Sequence, residues 1–397
     1  MRVSTLQMSQ LSLRTILERQ SDLTKTQLQV STGKRIISPS DDPVGTVRTL
    51  DLKRSIKENE QYQRNIDLAD SRLQLEEQVI ADAQTLLQRT REQAVMGLNA
   101  SQTNETRSAI AKDVKEQLDA LYQLANTQDS DENYIFAGFN GGTRPFSTSG
   151  GVAVYNGDQG QRLLQISASR TIADGDAGAD VFMKIRSGNG TFVAEAGTAN
   201  TGSGVLDEGS VIDPTAWDGD TYTITFTAAN TYEVTDSGGA VVATGTHDDG
   251  DSIAFQGVEV GIDGTPAVGD TFTVSPSRYQ DIFSSLEMMV SALETPVSDD
   301  ESRAAQKNLI HNAMSGIDRA MDNLIQVRTE VGSRLNALES QRSINETSQL
   351  TMQELLSSVE DVDMAEAVTR LNQQVVGLDA AQQTYTTVQG LSLFRYL

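Results

Sequence analysis

Few side chains in this sequence are placed to do chemistry. The chain has no cysteine, which excludes disulfides, thiolate metal sites and cysteine nucleophiles. Its two histidines, His247 and His311, lie far apart, and neither has a second histidine at metal-ligand spacing. Neither is accompanied by an evident nucleophile or base. We therefore expect both histidines at the surface, and no catalytic residue, cofactor or metal site.

One short motif resembles part of a phosphate-binding loop. Residues 31–34 read Ser-Thr-Gly-Lys, but the glycine required five positions before Gly33 is replaced by Leu28, and Arg35 stands where a hydroxyl residue should follow the lysine. The motif also follows a predicted helix rather than a strand. A nucleotide site is therefore not expected.

Two acidic segments, residues 174–180 and 248–251, have the aspartate and glycine content of cation-binding loops. An EF-hand starting at Asp174 would need glutamate where Ile185 stands, so that loop type is excluded. Solvated turns are the ordinary explanation, and adventitious cation binding is the open alternative.

The charge balance excludes several classes of partner. Lys and Arg number 31 against 55 Asp and Glu, which gives a net charge of −24. Such a surface disfavours nucleic acid and anionic membranes. No apolar run approaches the roughly 18 residues of a membrane span, and the first residues lack the apolar segment of a conventional signal peptide. The protein either stays in the cytoplasm or leaves by another route.

Glycine usage divides the chain into three parts. Most of the 31 glycines lie between Gly138 and Gly269, with four of the seven prolines. The flanks therefore predict helices and the middle predicts strands and turns. The expected fold class is α+β: a long coiled-coil-like helical bundle from both flanks, with a β-rich inserted outer domain. The predicted domains are residues 1–42 with 361–397, residues 43–145 with 278–360, and residues 146–277.

The helical flanks carry sevenfold apolar repeats. After a first helix that ends near Gly33, Asp42 and Pro43 predict the start of a second helix that continues to about residues 97–104. Some 55 residues at 1.5 Å each would make it about 80 Å long. A third helix follows, with Val114 and Leu118 on its apolar face. In the other flank a long helix breaks at residues 360–363 before the last helix.

Each predicted helix is apolar on one narrow face only, so the two flanks should pack together. Glutamines interrupt the stripe of the first helix, which favours packing against neighbouring subunits over an ordinary intramolecular coiled coil. The expected assembly residues are Leu6, Leu13, Ile16, Leu23, Val30, Leu371, Val375, Leu378, Leu391, Leu393, Phe394 and Leu397.

The middle alternates polar and apolar residues as antiparallel strands do. Residues 222–226 and 231–234 are examples, and residues 236–239 predict a hairpin turn before residues 240–242. Residues 263–270 predict a turn-rich connection to a further strand at 271–274. An acidic insertion of this kind should project into solvent.

Short motifs at both ends give the sequence a family resemblance. They are RVST at residues 2–5, STGKRI at 31–36, PSDDP at 39–43, NYIFAG at 133–138, PF at 145–146, AEA at 365–367, LN at 371–372 and LSLFRYL at 391–397. Together they resemble the flagellar hook–filament junction proteins (hook-associated protein 3, FlgL type), within the bacterial flagellin family. The resemblance covers about residues 1–146 and 278–397.

The resemblance implies a structural, extracellular role in the bacterial flagellum, without catalysis. It implies export through the flagellar type III channel and a ring of identical subunits between hook and filament. It also implies contacts with a neighbouring hook-associated protein and with flagellin, and an export chaperone that holds the C-terminal helix.

Three alternatives remain open at this stage. A flagellin-like filament subunit shares the architecture, but flagellins typically lack the Asp-Asp-Pro motif and the Leu-Phe-x-Tyr-Leu ending. A carbohydrate-binding or adhesive module on helical arms is a different class, which binding of glycans by the middle region would favour. An enzyme has only the acidic clusters of the middle in its support.

Overall fold

A computed structural model describes the backbone of residues 5–390 and the side chains of residues 7–387. The helices are α1 Thr5–Thr32, α2 Pro43–Gly97, α3 Asn104–Ala125, α4 Ile282–Glu294, α5 Asp300–Glu360 and α6 Met364–Gly390, with a short π-helical turn at Ala179–Met183. The strands are β1 Phe146–Ser149, β2 Val152–Tyr155, β3 Leu163–Ser167, β4 Arg170–Ala173, β5 Ile185–Arg186, β6 Phe192–Ala196, β7 Val205–Leu206, β8 Ser210–Val211, β9 Tyr222–Ala228, β10 Thr231–Thr235, β11 Val241–Thr246, β12 Ser252–Phe255, β13 Val258–Asp263, β14 Thr271–Pro276 and β15 Tyr279–Gln280. The α+β prediction, with helical flanks around a β-rich middle, is confirmed.

The ends of the long helices follow local backbone chemistry. Gly33 adopts a φ of 70°, a left-handed conformation that stops α1 and that glycine adopts without steric cost. Asp42 caps α2, because its Oδ1 accepts the Gly45 N–H at 2.8 Å. Residues 361–363 separate α5 from α6 as predicted. The sequence predicts these helix ends because each is set by one or two residues next to it.

The chain forms two compact units. Residues 1–64 and 341–397 make one, called here the terminal unit, and residues 65–340 make the other, the central unit. In the terminal unit the structure describes the backbone of residues 5–64 and 341–390.

Aromatic packing holds the helices of the central unit together. Tyr122 of α3 stacks on Phe283 of α4 with ring centroids 4.2 Å apart, and Phe283 also contacts Phe146 and Phe182. Helix α4 was not predicted from the sequence. Its signal is present in Asp281, whose side chain accepts the Ser284 N–H at 2.7 Å, followed by apolar residues at helical spacing. Helix α4 directly follows the last strand, β15, so the end of the β-rich region was not recognised at this point.

A second hydrophobic core lies within the β-rich region. A five-stranded antiparallel sheet has the order β11-β10-β9-β14-β6, and a smaller sheet of β12, β13 and β7 lies beside it, with β8 paired to β13. Phe192, Tyr222, Phe226 and Phe272 fill the space with buried side chains. The predicted strands at residues 222–226, 231–234 and 271–274 are all present, and β10 pairs with β11 across residues 236–239.

The two hydrophobic cores divide the predicted outer domain. Phe146, Phe182 and Ile185 belong to the core that the helices build, whereas the second core begins at Phe192. Where the chain leaves and returns, Ser187 N–H donates to the Arg278 carbonyl at 2.9 Å, and Arg278 N–H donates to the Ser187 hydroxyl at 3.0 Å. The boundaries at 146 and 277 stay a prediction; the packing favours a β unit of residues 187–277.

Helix α5 fixes the β unit through side-chain amide bonds. Asn308 Oδ1 accepts the Leu206 N–H at 2.8 Å, and Asn308 Nδ2 donates to the Gly204 carbonyl at 3.0 Å. His311 contacts the Leu206 carbonyl through Nδ1 at 3.2 Å. The half-buried His311 therefore has a structural role.

The expectation that both histidines lie on the surface is wrong for His247. Its side chain is 2% exposed and packs edge-on against Phe226, and neither ring nitrogen has a hydrogen-bond partner. The sequence could not reveal this, since His247 follows the last residue of an edge strand and precedes two aspartates. Burial there is decided by the fold of the β unit.

A buried ion network replaces the suspected cation loop at residues 174–180. Arg334 of α5 donates to both oxygens of Asp176 at 2.8 and 3.0 Å, and Arg162 donates to Asp174 at 2.9 Å. In the described part of the chain, no group of three or more histidines or carboxylates is arranged to hold a metal ion. None of the described helices is long and apolar enough to cross a membrane.

Glu76 of α2 lies inside this network and is 2% exposed. Its Oε1 accepts the Asp176 N–H at 3.1 Å, and its Oε2 has no partner. Burial, and next the nearby Asp176 carboxylate, raise the pKa of Glu76 to about 8. Between pH 4.5 and about 8, Glu76 is protonated in the folded protein and already ionised in the unfolded chain. The free energy of unfolding therefore falls as the pH rises through that window.

We expect Glu76→Gln to remove this pH dependence. The amide is uncharged at every pH, so the variant should be more stable than the parent at pH 8.5 by about 1–3 kcal/mol and nearly equal to it at pH 4.5. Thermal unfolding of both proteins across this range measures the difference. An equal difference at both pH values would contradict the assignment.

We expect the β unit to be dispensable for the helical core. Replacing residues 188–276 by a short Gly/Ser link should leave helicity and cooperative unfolding intact, since Ser187 and Arg278 already hold the two ends together. Replacing residues 150–276 is the matched comparison. It also deletes the buried Phe182 and Ile185, which should cost about 2–5 kcal/mol for each large side chain. Circular dichroism melts distinguish the two, and equal losses in both variants would refute the boundary at 187.

Candidate assembly surface

Helices α1 and α6 of the terminal unit pack against each other. They run antiparallel, because α1 ends and α6 begins at the same joint, defined here as residues 33–42 with 361–363. A Cβ atom at Gly377 would lie 2.7 Å from Nη1 of Arg19, so α6 is close to α1 at that level. The predicted pairing of the two flanks is therefore present within one chain.

Backbone hydrogen bonds connect the two chain segments of the joint. Arg35 N–H donates to the Glu360 carbonyl at 2.7 Å, and Val362 N–H donates to the Gly33 carbonyl at 3.0 Å. The Arg35 guanidinium also donates to the Val359 carbonyl at 2.7 Å. Two separate helix ends thereby satisfy each other's free backbone groups.

Glu360 is the charged centre of this joint. Lys34 and Lys53 reach its two carboxylate oxygens at 2.5 and 2.8 Å, and its side chain is 9% exposed. Burial alone would raise the pKa of Glu360, but the hydrogen bonds from Lys34 and Lys53 outweigh it and the pKa is lowered. The hydrogen bond to Glu360 in turn raises the pKa of Lys34. The lysine of the apparent phosphate-loop motif therefore serves as an ion-pair partner.

Asp41 stabilises the other half of the joint. Lys25 of α1 lies 2.7 Å from its Oδ1, and the Ser38 and Ile37 N–H groups donate to its Oδ2 at 3.0 and 3.2 Å. The Lys25 hydrogen bond first, and the backbone donors next, lower the pKa of Asp41. The Pro-Ser-Asp-Asp-Pro motif is thus a structured turn that ties α1 to α2.

Seven of the predicted assembly residues have described side chains, and all seven lie on α1 or α6. Ile16, Leu23, Val30, Leu371 and Leu378 are half-buried. Leu13 and Val375 remain 48% and 42% exposed. Nothing is described of the Leu6 side chain, and Leu391, Leu393, Phe394 and Leu397 lie outside the described residues. The role of all these residues in contacts between copies stays a prediction.

The α1–α6 pair keeps a second apolar face in solvent. Leu13, Leu17 and Leu28 of α1 and Met364, Val368 and Val375 of α6 are all exposed. At 100° per residue the two sets lie to the same side of the seam between these antiparallel helices. The assembly residues predicted from the sequence did not include Leu17, Leu28, Met364 and Val368, although their spacing from Leu13 and Val375 carries the signal.

The terminal unit has almost no core of its own. Among its described residues, only Ile56 and Ala367 are buried apolar side chains, while exposed ones are abundant. These exposed side chains are Met8, Leu11, Leu13, Leu17, Leu28, Val44, Val47, Leu50, Ile344, Leu350, Leu355, Met364, Val368, Val375 and Val376. An exposed apolar surface of this extent is typical of a binding interface.

Both flanks match known flagellar sequence families. Residues 3–141 match the bacterial flagellin N-terminal helical region, and residues 314–397 match the bacterial flagellin C-terminal helical region. Residues 196–276, within the β unit, match the D2-like domain of flagellar hook-associated protein 1.

Full-length relatives are flagellar hook-associated proteins. The chain is 27% identical to flagellar hook-associated protein 3 of Escherichia coli over 396 residues, which covers 100% of this chain and 99% of the relative. The crystal structure of Xanthomonas campestris FlgL is 36% identical, with a TM-score of 0.73, and the match covers 77% of this chain and 99% of FlgL. The flagellar junction protein FlgL of Legionella pneumophila is 30% identical with a TM-score of 0.72, covering 80% of this chain and 100% of that protein.

We expect Glu360→Gln to loosen the joint. The lysines are half-exposed, so the loss should be about 1 kcal/mol at pH 7. Because the folded pKa of Glu360 is lowered, its stabilisation is present above pH 4.5 and disappears as the pH falls toward the folded value. Amide exchange at Arg35 and Val362 should therefore be faster in the variant at pH 7 and alike in both proteins in acid. Unchanged exchange at pH 7 would contradict this role.

Proposed function

This chain belongs to the FlgL family of flagellar hook-associated proteins and is a structural subunit of the hook–filament junction, and we propose that its terminal unit is the part that packs against neighbouring subunits. The observation that carries the proposal is the imbalance among the described residues of that unit, where many large apolar side chains are exposed and only Ile56 and Ala367 are buried apolar ones. An isolated helix pair with so little buried surface is marginally stable. Neighbouring subunits would supply the missing contacts.

We propose four partners for this surface: further copies of the chain in a ring, the adjacent hook-associated protein, flagellin, and an export chaperone before assembly. The family is that of flagellar proteins, which supports assembly with other flagellar components. Extended apolar stripes on antiparallel helices suit helix-on-helix contacts, the mode in which all four partners could be recognised. Export by the flagellar type III route belongs to the same proposal.

The charge of the β unit favours a position in solvent, away from the helix contacts between subunits. Between residues 187 and 277 the sequence has no lysine or arginine, whereas acidic residues are frequent. All its acidic residues except Asp270 have some exposure. Equal charges on adjacent copies repel, so close packing of β units against one another is disfavoured and exposure to solvent is favoured.

The decisive variant is Leu17→Ser with Val375→Ser. Both side chains are already exposed in the single chain, so thermal unfolding of the monomer should hardly change. If neighbouring subunits bury them, their loss should weaken assembly by about 1–3 kcal/mol per side chain. Cells that carry the variant should shed filaments and release flagellin into the medium.

The matched control is Val241→Ser with Val268→Ser, which removes two equally exposed apolar side chains from the β unit. Filament attachment should be normal in the control. Normal attachment in the Leu17 and Val375 variant would overturn the assignment of the terminal unit, and a lowered melting temperature would show that the two residues belong to an ordinary core.

A further inference from the structure

Two exposed stripes of the terminal unit are complementary in charge. On α2, Val47, Leu50, Arg54 and Lys57 follow one another at spacings of three or four residues and are all exposed. On α5, Glu346, Leu350 and Glu354 follow at spacings of four. These three are exposed as well. The first stripe is apolar and basic, and the second is acidic around one leucine.

The stripes face away from the contact between α2 and α5. The seam between these helices contains the buried Ile56, Asn59 and Asn345, with Asn59 Nδ2 donating to the Asn345 carbonyl at 2.6 Å. At 100° per residue, Lys57 lies about 100° from Ile56 and about 160° from Asn59. Glu346 lies about 100° from Asn345 on its own helix. One chain therefore cannot bring its own two stripes together.

The principal charges of both stripes lack partners in the part of the chain that the structure describes. Lys57 and Glu346 make no ion pair or hydrogen bond among the described residues. Arg54 is paired only with the exposed Glu58 of its own helix, at 3.0 Å. Leu50, Arg54 and Lys57 line an open groove of 650 Å³ together with Leu356 of α5. Glu58 and Glu60 also line the groove, so an acidic ridge with one leucine matches only its basic and apolar part, at Arg54, Lys57 and Leu50.

The two stripes also lie at the same level along the helices. Lys57 precedes Asn59 by two residues and Glu346 follows Asn345 by one. Because α2 and α5 are antiparallel here, both lie on the same side of the Asn59–Asn345 bond, displaced by about 3 and 1.5 Å along the helix axis. Copies related by rotation about an axis parallel to these helices would present Lys57 of one to Glu346 of the next.

We propose that the groove along α2 receives the α5 stripe of a second copy of this chain. The contact pairs Lys57 with Glu346 of the second copy, and it buries Leu50 of one copy and Leu350 of the other. Different surfaces of each copy meet, so the contact is head-to-tail and closes into a ring when the rotation closes. The inference rests on the proposed function, since it identifies which faces of the terminal unit meet between copies.

Cross-linking tests the contact directly, because the natural chain has no cysteine. Lys57→Cys with Glu346→Cys in one chain, treated with a short bis-maleimide on isolated flagella, should give a ladder of covalent oligomers. The control carries Lys57→Cys with Ile344→Cys, since Ile344 is exposed at the same level on another side of α5. Monomer alone in the first variant, equal ladders in both, or cross-links to a different protein would each overturn the proposal.

Charge reversal supplies a second, independent readout. Lys57→Glu and Glu346→Lys should each reduce the fraction of cells that keep filaments under shear by roughly three- to tenfold, because like charges then face each other. The double variant should recover attachment, since every contact again joins opposite charges. Lys112→Glu in α3, also an exposed lysine, should have no effect.

The two proposals fail differently. Single reversals without effect, or a double variant that does not recover, would refute the Lys57–Glu346 contact. If the Leu17 and Val375 variant still loses its filaments in that case, only the Lys57–Glu346 contact is refuted. The proposed role of the terminal unit in assembly is then still supported.

Discussion

The structure depends on one constraint: each long helix carries an apolar stripe that must be covered by another helix. In the central unit the constraint is met within the chain, where Tyr122, Phe146, Phe182 and Phe283 complete a core that helices and the first strands build together. In the terminal unit it is met only partly, since α1 and α6 share one seam and leave a second apolar face exposed. The difference between the units is therefore a difference in how much apolar surface remains unpaired.

Polar interactions fix the joint between the helices of the terminal unit and the attachment of the β unit to α5. Glu360 binds Lys34 and Lys53 at the joint, where the two chain segments also exchange backbone hydrogen bonds. The Asn308 side-chain amide accepts a hydrogen bond from the Leu206 N–H and donates one to the Gly204 carbonyl. Both are directional contacts that fix orientation, whereas the apolar seams would tolerate sliding.

The sequence by itself determined the end of α1, the start of α2, the break between α5 and α6, the β-rich middle and the absence of disulfides. Gly33, Asp42 and Pro43 act on the backbone next to them, so their effects do not depend on distant residues. The sevenfold repeats likewise report local periodicity. The short terminal motifs indicated the FlgL family, which the relatives confirm.

Only the tertiary structure decided which residues meet across long separations. It buried His247 and Glu76, placed Lys34 on Glu360, and assigned Phe182 and Ile185 to the helical core although they lie in the β-rich stretch. It also showed that the apolar residues of α1 form two faces, one shared with α6 and one open to solvent. Burial and ion pairing join residues up to hundreds of positions apart, and local propensity carries no information about such distances.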